Sequence, residues 1–171
     1  MLVLWDFAAA FPSVNHAWLF AVLRACAVPS GLADLISAIY FMNAAFTCLD
    51  GKLVFIFWVM SGVLHGCPLA GMIFAFCVDP FLQKLDAEFR DILDLTIMME
   101  MDNHNDESKA QSAVSCLGSF RACADDIGAA LGDIRGLVLA KDTFDAAKCC
   151  ANLTLKPSKC VIVPLAQAYS V

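Results

Sequence analysis

The sequence predicts an α+β fold, an antiparallel sheet with helices packed on one face. Apolar residues recur at helical spacing over 15–27 and again over 32–46. Two acidic turn signals, Asp50-Gly51 and Asp125-Asp126, each separate a pair of short β-prone runs. The order that results is strand, helices, hairpin, helix, hairpin, helix, strands, which favours a sheet built from hairpins over a regular βαβ series.

MLVLWDF opens the chain as a short buried strand. Val14, Leu19, Val22 and Leu23 then mark a helix from about Asn15 to Ala27. Pro29 and Gly31 interrupt it, and LADLISAIYFMNAAF carries a second helical pattern with Asp34 in its first turn, where a carboxylate suits the positive helix end. Asp50-Gly51, between TCL and KLVFIFWV, predicts a tight hairpin. A third helix starts near Pro68, a residue favoured in a first helical turn, and runs towards Phe89. Residues 100–112, EMDNHNDESKAQS, are markedly polar and predict a solvated loop or insertion. SCLGSFRACA follows as a strand, Asp125-Asp126 as a turn and IGAAL as the return strand. A last helix from about Asp133 to Cys150 leads to LTLKPSKCVIVPL, in which the Lys156-Pro157 bend separates two short β segments. No repeat is present.

The length of 171 residues suits one domain. Apolar residues make up 60% of the chain and charged residues 16%, which excludes intrinsic disorder and makes a membrane protein the first alternative. The runs 17–23, 53–60 and 69–78 fall short of the roughly 18 to 20 apolar residues that a spanning helix needs. They are therefore expected to be buried strands and helices of a core. No basic segment precedes an apolar one at the N-terminus, so a secretory leader is not expected, and the chain is placed inside the cell, in nucleus or cytoplasm. Nine cysteines, with no Cys-x-x-Cys pair, are expected to be buried structural thiols in a reducing compartment. His16, His65 and His104 share no metal-ligand spacing, so no zinc site is expected. The net charge of −6 has the wrong sign for holding a phosphate backbone.

Adjacent acids such as Asp125 and Asp126 disfavour each other's ionisation unless a cation neutralises them, although Asp is also simply a common turn residue. Four stretches give them a context. WDFAAAFPSVNH, SGVLHGCPLAGMIF, FRACADDI and LTLKPSKC occur in that order. The chain resembles the reverse transcriptases, and among them most closely the polymerases of non-long-terminal-repeat retrotransposons, whose catalytic motifs these stretches match one by one. Four matches in order are far more specific than any one alone.

The resemblance implies a polymerase palm with a ferredoxin-like (split βαβ) core, and an RNA-directed DNA polymerase that transfers nucleotides by a two-metal mechanism. Two Mg2+ ions, with Mn2+ as a substitute, would be held by Asp6, Asp125 and Asp126 with the backbone carbonyl of Phe7. Hard divalent ions take oxygen ligands of this kind, and a pair of them stabilises the attacking and leaving oxygens together. Phe11 would lie beneath the sugar of the incoming nucleotide and exclude a 2′-hydroxyl, although core packing also explains a Phe there. Gly62, Gly66 and Pro68, with His65 beside them, would shape a turn that approaches template and base. Cys123 would stand near the primer end. Lys159 would sit by the leaving pyrophosphate, although a solvated surface lysine is an equal reading. RNA template, DNA primer and dNTP are the partners implied, with no membrane.

Cys123 stands where this family usually has Tyr or Phe, His65 where it has Gln, Ala9 where it often has Lys and Pro12 where it often has Asp. The carboxylates are intact. Residues 1–171 are expected to form a partial palm without fingers or thumb, so that basic surfaces tracking nucleic acid would lie elsewhere. Two other readings remain open at this point. One is a degenerate, inactive remnant of a retroelement, and the other a small membrane-associated protein.

Overall fold

The computed structural model describes residues 1–64, 66–103, 118–132 and 134–165. In chain order the elements are β1 (Leu2–Asp6), α1 (Ala10–Ser13), α2 (His16–Ala25), α3 (Ser30–Tyr40), β2 (Asn43–Leu49) and β3 (Lys52–Val59). They continue as α4 (Ala70–Asn103), β4 (Gly118–Cys123), β5 (Asp126–Leu131), α5 (Arg135–Ala151) and β6 (Val161–Val163).

A four-stranded sheet runs in the order β4-β5-β1-β6, every neighbour antiparallel. Helices α1 to α4 separate β1 from β4, and α5 separates β5 from β6. That is the β-α-β-β-α-β connection of a split βαβ fold, as the resemblance implied. Alternation along the strands decides which face the helices cover. Val3, Trp5, Ile127, Ala129 and Leu131 are buried, whereas Leu2, Leu4, Asp126 and Ala130 are exposed. Trp5 and Phe7 both pack their rings on Phe144 of α5, at 5.2 and 5.9 Å between centroids. One face of the sheet is thus covered by helices, and the other is open among the described residues.

Local chemistry explains most boundaries. Asn15 caps α2, its side chain accepting the Ala17 N–H at 2.7 Å. Asn152 ends α5 with φ 61°, a left-handed conformation that Asn tolerates. Asp50 and Gly51 have φ 49° and 73°, the pair of positive values that closes a two-residue hairpin. Across the helix interface, buried Thr143 donates to Glu88 at 2.9 Å and accepts from Lys84 at 3.1 Å, tying α5 to α4.

The structure corrects four sequence expectations. The second helix stops at Tyr40, and the residues from Asn43 join β2, because Asn43 to Leu49 pairs along the whole of β3. The third helix continues past Phe89 to Asn103, carrying Pro80 within it. The apolar run 53–60 is not buried: Leu53 is 77% exposed and Trp58 50%, because β2 and β3 form a separate two-stranded sheet with no layer over it among the described residues. Cys26 after α2, Cys48 on that hairpin, Cys123 at the end of β4 and Cys149 and Cys150 in α5 are exposed, and Cys67 and Cys160 are half-buried, so among the described residues the expectation of buried thiols holds for Cys77. The polar segment beyond residue 103, with His104, lies outside the described residues, as do His65 and Asp133. Among the described residues no helix is long and apolar enough to cross a membrane.

Burial pushes the Cys77 thiol up to about 12 from an ordinary value of 9.0. Unfolded chains ionise this thiol first, so between pH 9 and 12 the folded state binds the extra proton and stability falls as pH rises. Cys77 is expected to resist iodoacetamide in the folded chain while Cys149 and Cys150 react, as peptide mass spectrometry would read. A Cys77→Ala chain should lose less stability from pH 9 to pH 11 than the parent, measured by urea titration.

Candidate active site

Asp6 ends β1 on the open face of the sheet. It lies across from Asp126, which in turn lies across from Cys123. Residues directly opposite in an antiparallel sheet point to the same side, so Asp6, Asp126 and Cys123 form one row over three strands. Asp125 occupies the turn that joins β4 to β5, next to Ala124, whose φ of 53° is a left-handed conformation seldom taken by residues other than glycine. Two-residue hairpins use positive φ because it matches the twist of the strands. The same need holds a strained alanine beside the acids here.

On its other side β1 is clamped by the chain around Leu155. The Lys156 N–H bonds the Asp6 carbonyl at 2.8 Å and the Ala8 N–H bonds the Thr154 carbonyl at 2.7 Å. Phe7, bridged to Leu155 between these bonds, turns its own carbonyl the opposite way, towards the side of Asp125 and Asp126. Its ring is buried. A tight turn follows, with Lys159 N–H bonding Lys156 O at 2.9 Å. That turn sets Lys159 Nζ 2.7 Å from Asp6 Oδ2. The Asp6 carboxylate, hydrogen-bonded to it and of opposite charge, holds the Lys159 ammonium above the ordinary lysine range, and Asp125 and Asp126 add to this. Oδ1 of Asp6 is buried and has no hydrogen-bond partner.

The glycine-rich stretch sits behind Asp6, against the segment joining β1 to α2. Gly62 has φ 96°, and a Cβ there would lie 3.0 Å from the Pro12 carbonyl oxygen. Its N–H bonds Val14 O at 2.8 Å, and the next N–H, of Val63, bonds Phe11 O at 2.8 Å. Phe11 itself stacks on Phe74 of α4 at 4.4 Å between centroids. Gly66 has φ 85° with open space around it, and Pro68 is exposed just before α4.

Two residues outside the predicted set hold this region together. His16 is buried, its Nε2 bonds the Gly62 carbonyl at 2.9 Å, and its ring meets Tyr40 edge-on at 5.5 Å. Tyr40 accepts the Leu64 N–H on its hydroxyl at 3.2 Å. Absence of metal spacing gave no reason to single out His16, but its place at the end of WDFAAAFPSVNH was an available signal.

The structure therefore brings Asp6, Asp126, Cys123 and Lys159 to one edge, with Asp125 in the adjoining turn and the Phe7 carbonyl facing it. Phe11 and Gly62 form a second group, and Gly66 and Pro68 lie further along the loop. Among the described residues, no three His, Cys, Asp or Glu side chains are gathered closely enough to hold a metal ion. A cleft of about 360 Å³ lined by Trp5, Lys141, Phe144 and Lys148 is on the helical side of the sheet, the side opposite Asp6.

An antiparallel palm-like sheet with acids at one edge of its open face is the class that the fold defines. Over 99% of its length the chain superimposes on apo telomerase from Candida tropicalis truncated from its C-terminal domain, with a TM-score of 0.60 and 10% identity. It spans 31% of that chain. Telomerase from Candida albicans in complex with a fragment of telomeric RNA gives a TM-score of 0.48 at 9% identity, over 95% of this chain and 27% of that one. A comparison with curated protein sequences finds no match. The family model for reverse transcriptase (RNA-dependent DNA polymerase) matches residues 1–168. The chain belongs to the reverse transcriptase family. Divalent metal ions are in general use in that family.

Proposed function

We propose that this chain is the palm of an RNA-directed DNA polymerase, of the non-long-terminal-repeat retrotransposon type, with Asp6, Asp125 and Asp126 as metal-holding carboxylates. The observation that carries the proposal is the register that sets Asp6 opposite Asp126 with Asp125 in the next turn position. Strand pairing fixes that proximity through the backbone, so it does not depend on side-chain rotamers.

The residues fit Mg2+ in kind. They are hard oxygen donors, and Asp6 keeps one carboxylate oxygen, Oδ1, buried without a hydrogen-bond partner, a costly state for a charged group that a cation held against the same carboxylate would ease. Asp6, Asp125 and Asp126 would hold two ions, with the Phe7 carbonyl as a further ligand. Bound there, the metal would lower the cost of charge on the attacking and leaving oxygens of an in-line displacement at phosphorus.

The chain's own groups do the rest. The rigid sheet orients the carboxylates, and the open face leaves room for a primer and template, with Cys123 beside the acids where a primer end would lie. Phe11, fixed by its stack on Phe74, is suited to press against the nucleotide sugar and reject a 2′-hydroxyl. Gly62, pinned to the same segment, keeps the loop that bears Gly66 and Pro68 in place. Lys159, close to Asp6, is suited to meet negative charge at the reacting phosphates.

Primer extension tests the proposal. The chain, together with the coding sequence flanking it in its genome, is incubated with an RNA template, a DNA primer, dNTPs and Mg2+ or Mn2+. Extension that depends on template and metal, and that falls with rNTPs, is expected. Failure to extend under both metals would favour an inactive remnant.

A further inference from the structure

We propose that the Lys159 ammonium is a tethered competitor of the metal ion: it holds the outward oxygen of Asp6, and a divalent cation binds only by displacing it. The inference rests on the metal reading above and adds to it a competitor built into the chain.

The two oxygens of Asp6 are in unlike surroundings. Oδ2 holds Lys159 Nζ at 2.7 Å, whereas Oδ1 is closed off from solvent. A cation arriving from solvent meets the carboxylate through the oxygen that the lysine already holds. A hard divalent ion sits about 2.0–2.1 Å from a carboxylate oxygen. Ion and ammonium on the same oxygen would stand close enough to repel each other strongly.

Lys159 is built to leave. Its side chain is 55% exposed, and its flexible stem allows the ammonium to swing away. The backbone need not follow, because the hydrogen bonds of Lys159 and Cys160 to the Lys156 carbonyl, at 2.9 and 3.2 Å, hold the turn in place.

The test is a Mn2+ titration of the purified chain, followed by loss of the paramagnetic resonance signal of the free aquated ion. Lys159→Met is expected to bind Mn2+ about threefold or more tighter than the parent, the affinity equivalent of losing one exposed ion pair. Asp6→Asn should bind more weakly than the parent. In the unsubstituted chain, acetylation of Lys159 by an acylating reagent should quicken on adding Mn2+, with the midpoint of metal binding. Lys141, paired with Asp145 at 2.5 Å, should not change. Equal or weaker Mn2+ binding by Lys159→Met would overturn the displacement and leave the metal reading standing. No Mn2+ binding by either chain would overturn both.

Discussion

Asp6→Asn is expected to cut RNA-templated DNA synthesis by about a thousandfold while leaving the fold intact. The two halves of this expectation have separate causes. Asparagine keeps the shape of aspartate and can still accept a hydrogen bond from Lys159, and the buried Oδ1 has no hydrogen-bond partner among the described residues for the substitution to break. The melting temperature should therefore move little. The charge, however, is lost where two cations would be held, and an effect of this kind is worth about 4 kcal/mol of transition-state stabilisation, or roughly three powers of ten in rate. The measurement is single-turnover primer extension alongside a thermal melt. Activity within tenfold of the parent would remove Asp6 from the site. A matching fall in melting temperature would mean that the residue supports structure instead.

The parts of this site that the sequence made legible are those fixed by local chemistry. A hairpin around Asp125 could be placed because the flanking runs are β-prone, although the turn itself is Ala124-Asp125 and Asp126 already pairs within β5, and Asp6 could be placed in a short strand at the start of the chain. The antiparallel sheet and the helices on one face followed from element order, and the structure agrees. What stayed hidden is long-range. Local residue chemistry gives no sign that the Lys156–Cys160 turn returns to the end of β1, and only the resemblance carried by LTLKPSKC pointed Lys159 towards the acids, yet this turn determines what Asp6 touches. Nor does it reveal that His16 and Tyr40 reach across to Gly62 and Leu64.

The apolar run 53–60 was misplaced for a related reason. An unbroken apolar run signals burial only when a second layer covers it, and β2 and β3 have none among the described residues. Phe46, Phe55, Phe57 and Trp58 instead lie about half exposed. The expected end of α4 near Phe89 was short, and residues 100–103, expected in a loop, are helical, because α4 continues to Asn103.

Gly62→Ala should be the most damaging single-atom change in the loop behind Asp6, costing about 3 kcal/mol of stability. Two penalties add. At φ 96° the backbone is outside the left-handed region that alanine tolerates, and the new Cβ would stand 3.0 Å from a carbonyl oxygen and 3.4 Å from the Cα of Pro12. Both neighbours are backbone, so neither can move aside as a flexible side chain would. Pro12 is further held by α1, and Gly62 by bonds to Val14 and His16. Gly66→Ala provides the contrast: its φ of 85° carries backbone strain, but nothing lies within 4 Å of its Cβ. For a chain of this size Gly62→Ala should lower the melting temperature by roughly 6–12 °C, and Gly66→Ala by clearly less. Because Val63 bonds the Phe11 carbonyl, the displaced loop would also shift the segment that carries Phe11. Weaker discrimination against rNTPs in Gly62→Ala, measured below its melting transition, would tie this glycine to nucleotide selection. Equal melting temperatures for the two variants would mean that the approach to Pro12 relaxes at no cost, and the rigidity assigned to the loop would have to be abandoned.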